Sequence, residues 1–199
     1  MSPRTLLQRH GAWVGLVLAL VLAVPALRRL LESSMQLHML LQAPLLVLSG
    51  WLLASALPAP AQRALARWNA YGITGLALVA VSTGLLMIPR LLDLVLVDMR
   101  LEAAKWAMLL AAGAALRLSW RRAGWLVQGF FLGNTLPMTA MAGQLYQDSP
   151  LRLCNAYRLG DQVALGSALV GIALAAGAIW TGWLFVELAR REGLSLPAA

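Results

Sequence analysis

The sequence predicts an all-α fold, a bundle of about six transmembrane helices, and three observations support this prediction. The composition is 60% hydrophobic and only 12% charged, outside the range of ordinary soluble domains. Apolar stretches of about 20 residues, the length that a helix needs to cross the hydrocarbon core, recur with short polar breaks. No segment alternates apolar and polar residues with the period of two typical of strands. We therefore predict one polytopic integral membrane domain covering residues 1–199.

Each predicted span begins and ends at charged or turn-forming residues. The spans cover residues 11–27, 35–57, 70–89, 103–119, 124–145 and 162–186. The first follows a basic start and resembles a signal peptide, but its apolar run is long and ends at Arg28 and Arg29 instead of a small-residue cleavage site. We therefore predict that it is a retained helix. Pro44 and Pro137 interrupt the second and fifth spans, where neighbouring helices can satisfy the freed carbonyls.

The polar breaks between the spans are short, and the third is amphipathic. In order they read RRLLESS, PAPAQRALARWN, RLLDLVLVDMRLEAAK, WRRAG and QDSPLRLCNAYRLGD. In the third break charged residues alternate with Leu91, Leu92, Leu94 and Val95, which favours a short helix lying at the membrane interface.

The distribution of basic residues predicts that both termini lie in the cytoplasm. With the N-terminus inside, nine of the 16 Lys and Arg residues fall on the cytoplasmic side. Most acidic residues then fall outside. These basic residues flank membrane spans, so the net charge of +8 does not indicate nucleic-acid binding.

An ionisable residue, His38, lies inside the second span. Such a group at membrane depth usually faces a protein interior or a water-filled cavity. Met35 and Met39 can share its helix face, and Met87 and Cys154 are predicted at the same outer level. Thioether, thiolate and imidazole ligands suit copper(I), so these five residues form the predicted metal site. The alternative is that the methionines only fill the core.

Other chemistries find less support in the sequence. A haem would need axial ligands from the helices, and His38 has only a methionine as a partner within the predicted spans. Cys154 is the single cysteine, which excludes an internal disulfide. No nucleotide-binding loop, hydrolytic triad or paired-carboxylate motif is recognisable. We therefore predict no catalytic residues, no organic cofactor and no enzymatic activity.

Several motifs, taken in order, resemble the CtaG-like cytochrome c oxidase assembly factors of bacteria. HMLLQAPLLVLSG (38–50) is similar to the histidine-led motif of the family's second helix. MIPRLLDLVLVD (87–98) resembles a proline element followed by a tyrosine-aspartate pair. QLY (144–146) and GDQVALG (160–166) are similar to a leucine-tyrosine stretch and an aspartate-glutamine motif. The resemblance covers residues 32–185.

The chain departs from the family pattern at several histidine positions. Ser34 stands where the family has the first of two histidines, and Ile88 replaces the histidine before Pro89. The fourth helix has Glu102 and Lys105 in place of a histidine-glutamate-histidine cluster, and Lys105 would repel a cation. These departures favour a divergent member that binds a partner subunit or a different ligand.

The resemblance implies a multi-pass protein of the bacterial inner membrane that helps to assemble a respiratory haem-copper oxidase. Its partners would be subunits of that complex and the lipid bilayer, and its cargo would be copper, handled at the outer face. Two other classes remain open. One is a structural membrane subunit or scaffold without a metal site, packed through small residues. The other is a small-solute transporter or a quinone-binding subunit with its ligand near His38.

Overall fold

Helices are the only regular elements in the described part of the computed structural model, which gives the backbone of residues 3–192 and the side chains of residues 10–192. This confirms the all-α class for that part. The α-helices are α1 Pro3–Ala23, α2 Pro25–Leu31, α3 Ala43–Leu53, α4 Ala59–Trp68, α5 Ile73–Leu86, α6 Pro89–Val97, α7 Met99–Trp120, α8 Gly124–Asp148 and α9 Leu159–Arg191. A π-helical turn, Leu37–Gln42, precedes α3, and a 3-10 turn, Ala54–Ala56, follows it.

Two to four stretches of the described chain could cross a membrane. The continuous stretches Leu37–Ala56 and Leu159–Arg191 are long and apolar enough. Two bent pairs also qualify if each counts as one span: α1 from His10 with α2, and α4 with α5. Six spans and cytoplasmic termini therefore remain predictions.

The predicted first span is bent instead of straight. The axes of α1 and α2 differ by 79°. The break lies at Val24, because a residue before proline avoids the helical region and Pro25 has no N–H to donate. The bend redirects α2, so that Arg28 reaches the side chain of Glu102 on α7.

Pro44 accounts for the π-helical turn at the start of the second span. Its ring clashes with the preceding helical turn and it cannot donate a hydrogen bond. The backbone widens before it, and the Ala43 N–H bonds to the carbonyl of His38, five residues back. His38 and Gln42 are both buried. The turn therefore directs two polar side chains into the bundle.

Two glycines allow α3 and α7 to cross in close contact. A Cβ atom on Gly50 would overlap the Leu110 carbonyl, and one on Gly113 would overlap the Val47 carbonyl. This contact fixes the first turns of α7 beside the π-helical turn.

The break predicted between the second and third spans contains a helix, α4, which meets α5 at 82°. Gly72 makes the corner with φ of 72°, a conformation that favours glycine, and a Cβ there would lie 2.6 Å from the Ser119 carbonyl. Asn69 ties the corner to α7 by donating to Ser119 Oγ at 2.8 Å. The third break forms α6, as its pattern predicts, and buries Leu92 and Val95.

Many of the buried apolar residues in the described part of the chain form two clusters. One contains Met35, Leu92, Tyr146, Cys154, Tyr157, Leu165 and Leu169. The other contains Leu22, Leu31, Ala43, Leu46 and Leu109. His38 and Gln42, on the π-helical turn, lie in sequence between Met35 of the first cluster and Ala43 of the second.

Candidate functional site

A group of buried polar side chains meets where α2, the π-helical turn and α7 come together. His38, Gln42, Glu102 and Lys105 are each at most 4% exposed. Glu32 and Arg28 complete the group, with 9% and 27% of their side-chain surface exposed. Charged groups in an apolar interior are costly and usually mark a functional or specificity-determining site.

Local structure places each member of the group. Glu102 and Lys105 share one face of α7 because they are three positions apart, and Asp98 begins that helix by accepting the Arg100 N–H at 2.7 Å. Arg28 and Glu32 are four positions apart at the end of α2 and form an ion pair at 3.2 Å.

Lys105 is the centre of the group. Its Nζ lies 2.9 Å from His38 Nε2 and 3.2 Å from Gln42 Oε1. It also forms ion pairs with Glu102 Oε2 at 2.8 Å and Glu32 Oε1 at 3.6 Å. The contact with Glu102 has the distance of a strong ion pair without the alignment of a hydrogen bond.

These contacts determine the tautomer of His38. An ammonium group can only donate, so His38 Nε2 must accept from Lys105 and the ring proton must lie on Nδ1. Tyr157 Oη lies 2.7 Å from Nδ1 and accepts that proton. Both ring nitrogens therefore have partners inside the protein.

The carboxylates balance the basic groups. Glu102 Oε1 accepts from Trp106 Nε1 at 2.7 Å and lies 3.5 Å from Arg28 Nε. Burial alone would raise the pKa of Glu32, but the hydrogen bond from Gln42 and the charges of Lys105 and Arg28 hold this pKa below its usual value. Two positive and two negative side chains thus leave the group without net charge.

The loop of residues 149–158 covers this group through Tyr157. Asp93 holds the loop by accepting the N–H groups of Asn155 at 2.8 Å and Ala156 at 3.0 Å. Gln162 Oε1 accepts the Leu153 N–H at 2.8 Å. Burial, together with nearby acidic groups, raises the pKa of Tyr157 well above its usual value, so the phenol stays protonated.

A cavity of about 360 Å³ lies beside His38, between α3, α5, α7, α8 and α9. Its wall is mainly apolar. Ser82, Thr83 and Thr139 also line it, and each hydroxyl donates to a carbonyl four residues earlier in its own helix. Their oxygens can therefore only accept hydrogen bonds from a molecule in the cavity.

The structure places the residues of the predicted metal site in two neighbouring groups. His38, Met39 and Met87 line the cavity. Met35 and Cys154 are buried in the cluster that contains Tyr157, where Cys154 Sγ donates to the Pro89 carbonyl at 3.5 Å.

These side chains, as arranged, do not fit a copper ion at His38. The positively charged Nζ of Lys105 contacts Nε2 of the His38 ring, and the hydroxyl of Tyr157 contacts Nδ1. Burial raises the pKa of Cys154 to about 12, so its thiol is not the thiolate that binds metals. Within residues 10–192 no three His, Cys, Asp or Glu side chains are close enough to share a metal ion.

Comparison with known proteins identifies no relative of this chain. No protein-family model, curated protein or solved structure matches the chain. The similarity to CtaG-like factors therefore remains a prediction that depends on the quoted motifs.

Sequence reasoning noted Glu102 and Lys105 but did not connect them to His38. Ionisable residues within an apolar helix are themselves a signal of a buried polar site. The four-residue spacing of His38 and Gln42 was a second signal. Nothing in the sequence indicated that Tyr157, 119 residues from His38, would hydrogen-bond to its ring.

Proposed function

We propose that the protein is a non-enzymatic accessory factor of a membrane complex in the bacterial inner membrane. The resemblance over residues 32–185 favours a respiratory haem-copper oxidase as that complex. The observation that best supports an accessory role is the closed network around Lys105, because its charged groups are paired with one another and both ring nitrogens of His38, which also lines the cavity, have partners within the protein.

The network joins α2 and the π-helical turn, which are close in the chain, to two distant segments, α7 and the loop of residues 149–158. Buried ion pairs are costly to desolvate and can serve to specify one arrangement of helices. A fixed arrangement at this end of the bundle suits a surface that a partner subunit must recognise.

This proposal does not include copper binding by His38, because Lys105 and Tyr157 already contact its two ring nitrogens. Met39 and Met87 line the cavity and supply the thioether ligands of the predicted site that a copper(I) ion in the cavity would meet.

Deletion of the gene, followed by complementation, tests the accessory role. We expect membranes of the deletion strain to lose oxidase activity and the absorbance of the oxidase haems, and the wild-type gene to restore both. Lys105→Met should restore them poorly, because it removes the shorter of the two ion pairs of the buried Glu102 carboxylate, whereas the exposed-site control Tyr71→Phe should restore them fully. Tagged protein should co-purify with oxidase subunits in mild detergent. Normal oxidase in the deletion strain, with the protein purifying alone, would contradict the proposal.

A second candidate function is the binding of a small apolar ligand, such as a quinone, in the cavity beside His38. The cavity supports this candidate, since its volume and mainly apolar wall are those of a small-molecule site. Extraction of the purified protein with organic solvent and mass spectrometry should identify a bound molecule. Ala112→Leu, which fills the cavity, should reduce its amount, and Ala175→Leu on the exposed side of α9 should not. Equal amounts in both variants would exclude this site.

A further inference from the structure

Helix α4 has an apolar face that no part of the described chain covers. Leu65 and Trp68 share this face because they are three positions apart, and they are 47% and 82% exposed. None of the ten residues of α4 is buried. Arg63 and Arg67, four positions apart, lie on the opposite face. A helix with one exposed apolar face and one basic face is typical of helices that lie in the interface of a membrane.

The corner at Gly72 turns α4 across the direction in which α5 runs. A Cβ on Gly72 would lie 3.1 Å from the backbone nitrogen of Ala123, just before α8. Beyond the other end of α5, the Met87 carbonyl accepts from Tyr146 Oη, near the end of α8, at 2.8 Å. Since α8 has 25 residues, it extends over roughly 37 Å, enough to cross the hydrocarbon core. Helix α5 follows α8 from one end to the other, so α4, at 82° to α5, lies across one end of the bundle.

Five arginines are located at this end of the bundle. Asn69 follows α4 and donates to Ser119 Oγ at 2.8 Å, which places the end of α4 beside the turn between α7 and α8. The arginines are Arg63 and Arg67 of α4, Arg117 of α7, and Arg121 and Arg122 of the turn. Arg117 lies 5.8 Å from the centroid of the Trp51 ring.

The chain supplies no negative charge for these arginines. Among the described residues, the ion pairs involve only other basic side chains. The sequence has no Asp or Glu between residues 33 and 92 or between residues 103 and 147. A surface of this charge is complementary to an anionic partner.

We propose that α4 and the turn of residues 121–123 bind the headgroups of anionic phospholipids, with α4 lying in the interface of one leaflet. Arg63 and Arg67 bind lipid phosphates, since a guanidinium group can donate two parallel hydrogen bonds to a phosphate. Leu65 and Trp68 insert between the acyl chains. Tyr71, which is 73% exposed, lies at the level of the headgroups, where tyrosine and tryptophan are enriched. The inference does not rest on the proposed accessory function, because it follows from the exposure and charge of α4.

The apolar face favours a lipid over an acidic protein as the partner. An acidic peptide would pair with the arginines but would leave Leu65 and Trp68 in water, whereas a bilayer satisfies both faces of the helix. The corner also fixes α4 in this position. Thr74 Oγ1 donates to the Trp68 carbonyl at 2.7 Å, and Asn69 Oδ1 accepts the Gly75 N–H at 3.1 Å. Helix α4 is therefore held at a right angle to α5 without a flexible linker.

Lipid retention by the full chain in detergent tests the proposal. We expect native mass spectrometry to show that the wild type, offered equal amounts of phosphatidylglycerol and phosphatidylcholine, retains mainly phosphatidylglycerol. The double variant Arg63→Gln, Arg67→Gln should reduce this preference by about tenfold or more, because each arginine near an anionic surface contributes to the attraction. Arg100→Gln, Arg152→Gln is the matched control, since it removes two exposed charges at the other end of the bundle and should keep the preference. Equal losses in the two variants, or no preference in the wild type, would overturn the proposal.

The position of α4 can be measured separately with spin labels. Leu65→Cys and Arg63→Cys place a nitroxide on the apolar and the basic face, and the wild type, whose single cysteine is buried, serves as the blank. In nanodiscs that contain phosphatidylglycerol, the label at position 65 should be more accessible to oxygen, which concentrates in the acyl chains. The label at position 63 should be more accessible to a water-soluble nickel complex. Equal accessibility of both labels to the nickel complex would place α4 in water, and the proposal would be wrong.

Discussion

Tyr157→Phe tests the hydrogen bond that orients His38. The substitution removes only the hydroxyl that accepts the His38 Nδ1 proton at 2.7 Å, and the ring of residue 157 continues to fill its buried position. His38 is 1% exposed, so the freed N–H has no water to replace its partner. An unsatisfied buried donor costs about 1–3 kcal/mol.

This cost can be measured as a shift in thermal unfolding. For a chain of about 200 residues, 1 kcal/mol corresponds to a shift of roughly 2–4 °C, so we expect Tyr157→Phe to lower the melting temperature by about 5 °C. Unfolding followed by circular dichroism in detergent is a suitable assay. Tyr71→Phe makes the same chemical change on a residue that is 73% exposed and should leave the melting temperature unchanged. If both variants melt like the wild type, the pairing of Tyr157 with His38 contributes nothing and the assigned tautomer loses its support.

The remaining predictions concern packing, pH and metal. Gly113→Ala should separate α3 from α7 and lower the free energy of unfolding by about 3 kcal/mol or more. Gly171→Ala, where an added Cβ has open space around it, should not lower it. Similar free energies of unfolding for the two variants would refute the close crossing. Burial raises the pKa of Cys154 to about 12, so iodoacetamide at pH 9 should label the folded protein far more slowly than the unfolded chain. Because the unfolded thiol ionises first, the free energy of unfolding should fall as the pH rises above about 9, and Cys154→Ala should abolish that part of the decrease. Copper(I) titration should give the same affinity for wild type and His38→Ala, because Lys105 Nζ already contacts Nε2 of the His38 ring. Weaker copper binding by the variant would show instead that His38 is a copper ligand.

The sequence by itself determined the helical class and the approximate positions of most helices. The stretches that became α3, α5, α7, α8 and α9 are visible in the sequence as apolar runs between charged or turn-forming residues. The amphipathic pattern of α6 was also visible, because alternating charged and leucine residues indicate one buried face. The sequence also placed His38 within an apolar helix, where an ionisable side chain usually faces a protein interior or a water-filled cavity, and the side chain is 1% exposed.

The bends of the chain were harder to predict. Pro25 ends α1 at Val24, yet a proline within an apolar run is also compatible with a kinked continuous span, so composition could not decide between them. The helix α4 was missed because Gln62, Arg63 and Arg67 interrupt its apolar residues, so that it lies within a predicted break.

Only the tertiary structure decided what His38 binds. The sulfurs of Met35, Met39, Met87 and Cys154 were predicted at one level. In the structure Met39 and Met87 line the cavity, whereas Met35 and Cys154 belong to the buried cluster, against which Met39 also packs. The partners of the ring are Lys105, 67 residues away, and Tyr157, 119 residues away. Such distant pairings depend on the crossing of α3 with α7 at Gly50 and Gly113 and on the loop held by Asp93, and local residue patterns carry no information about either contact.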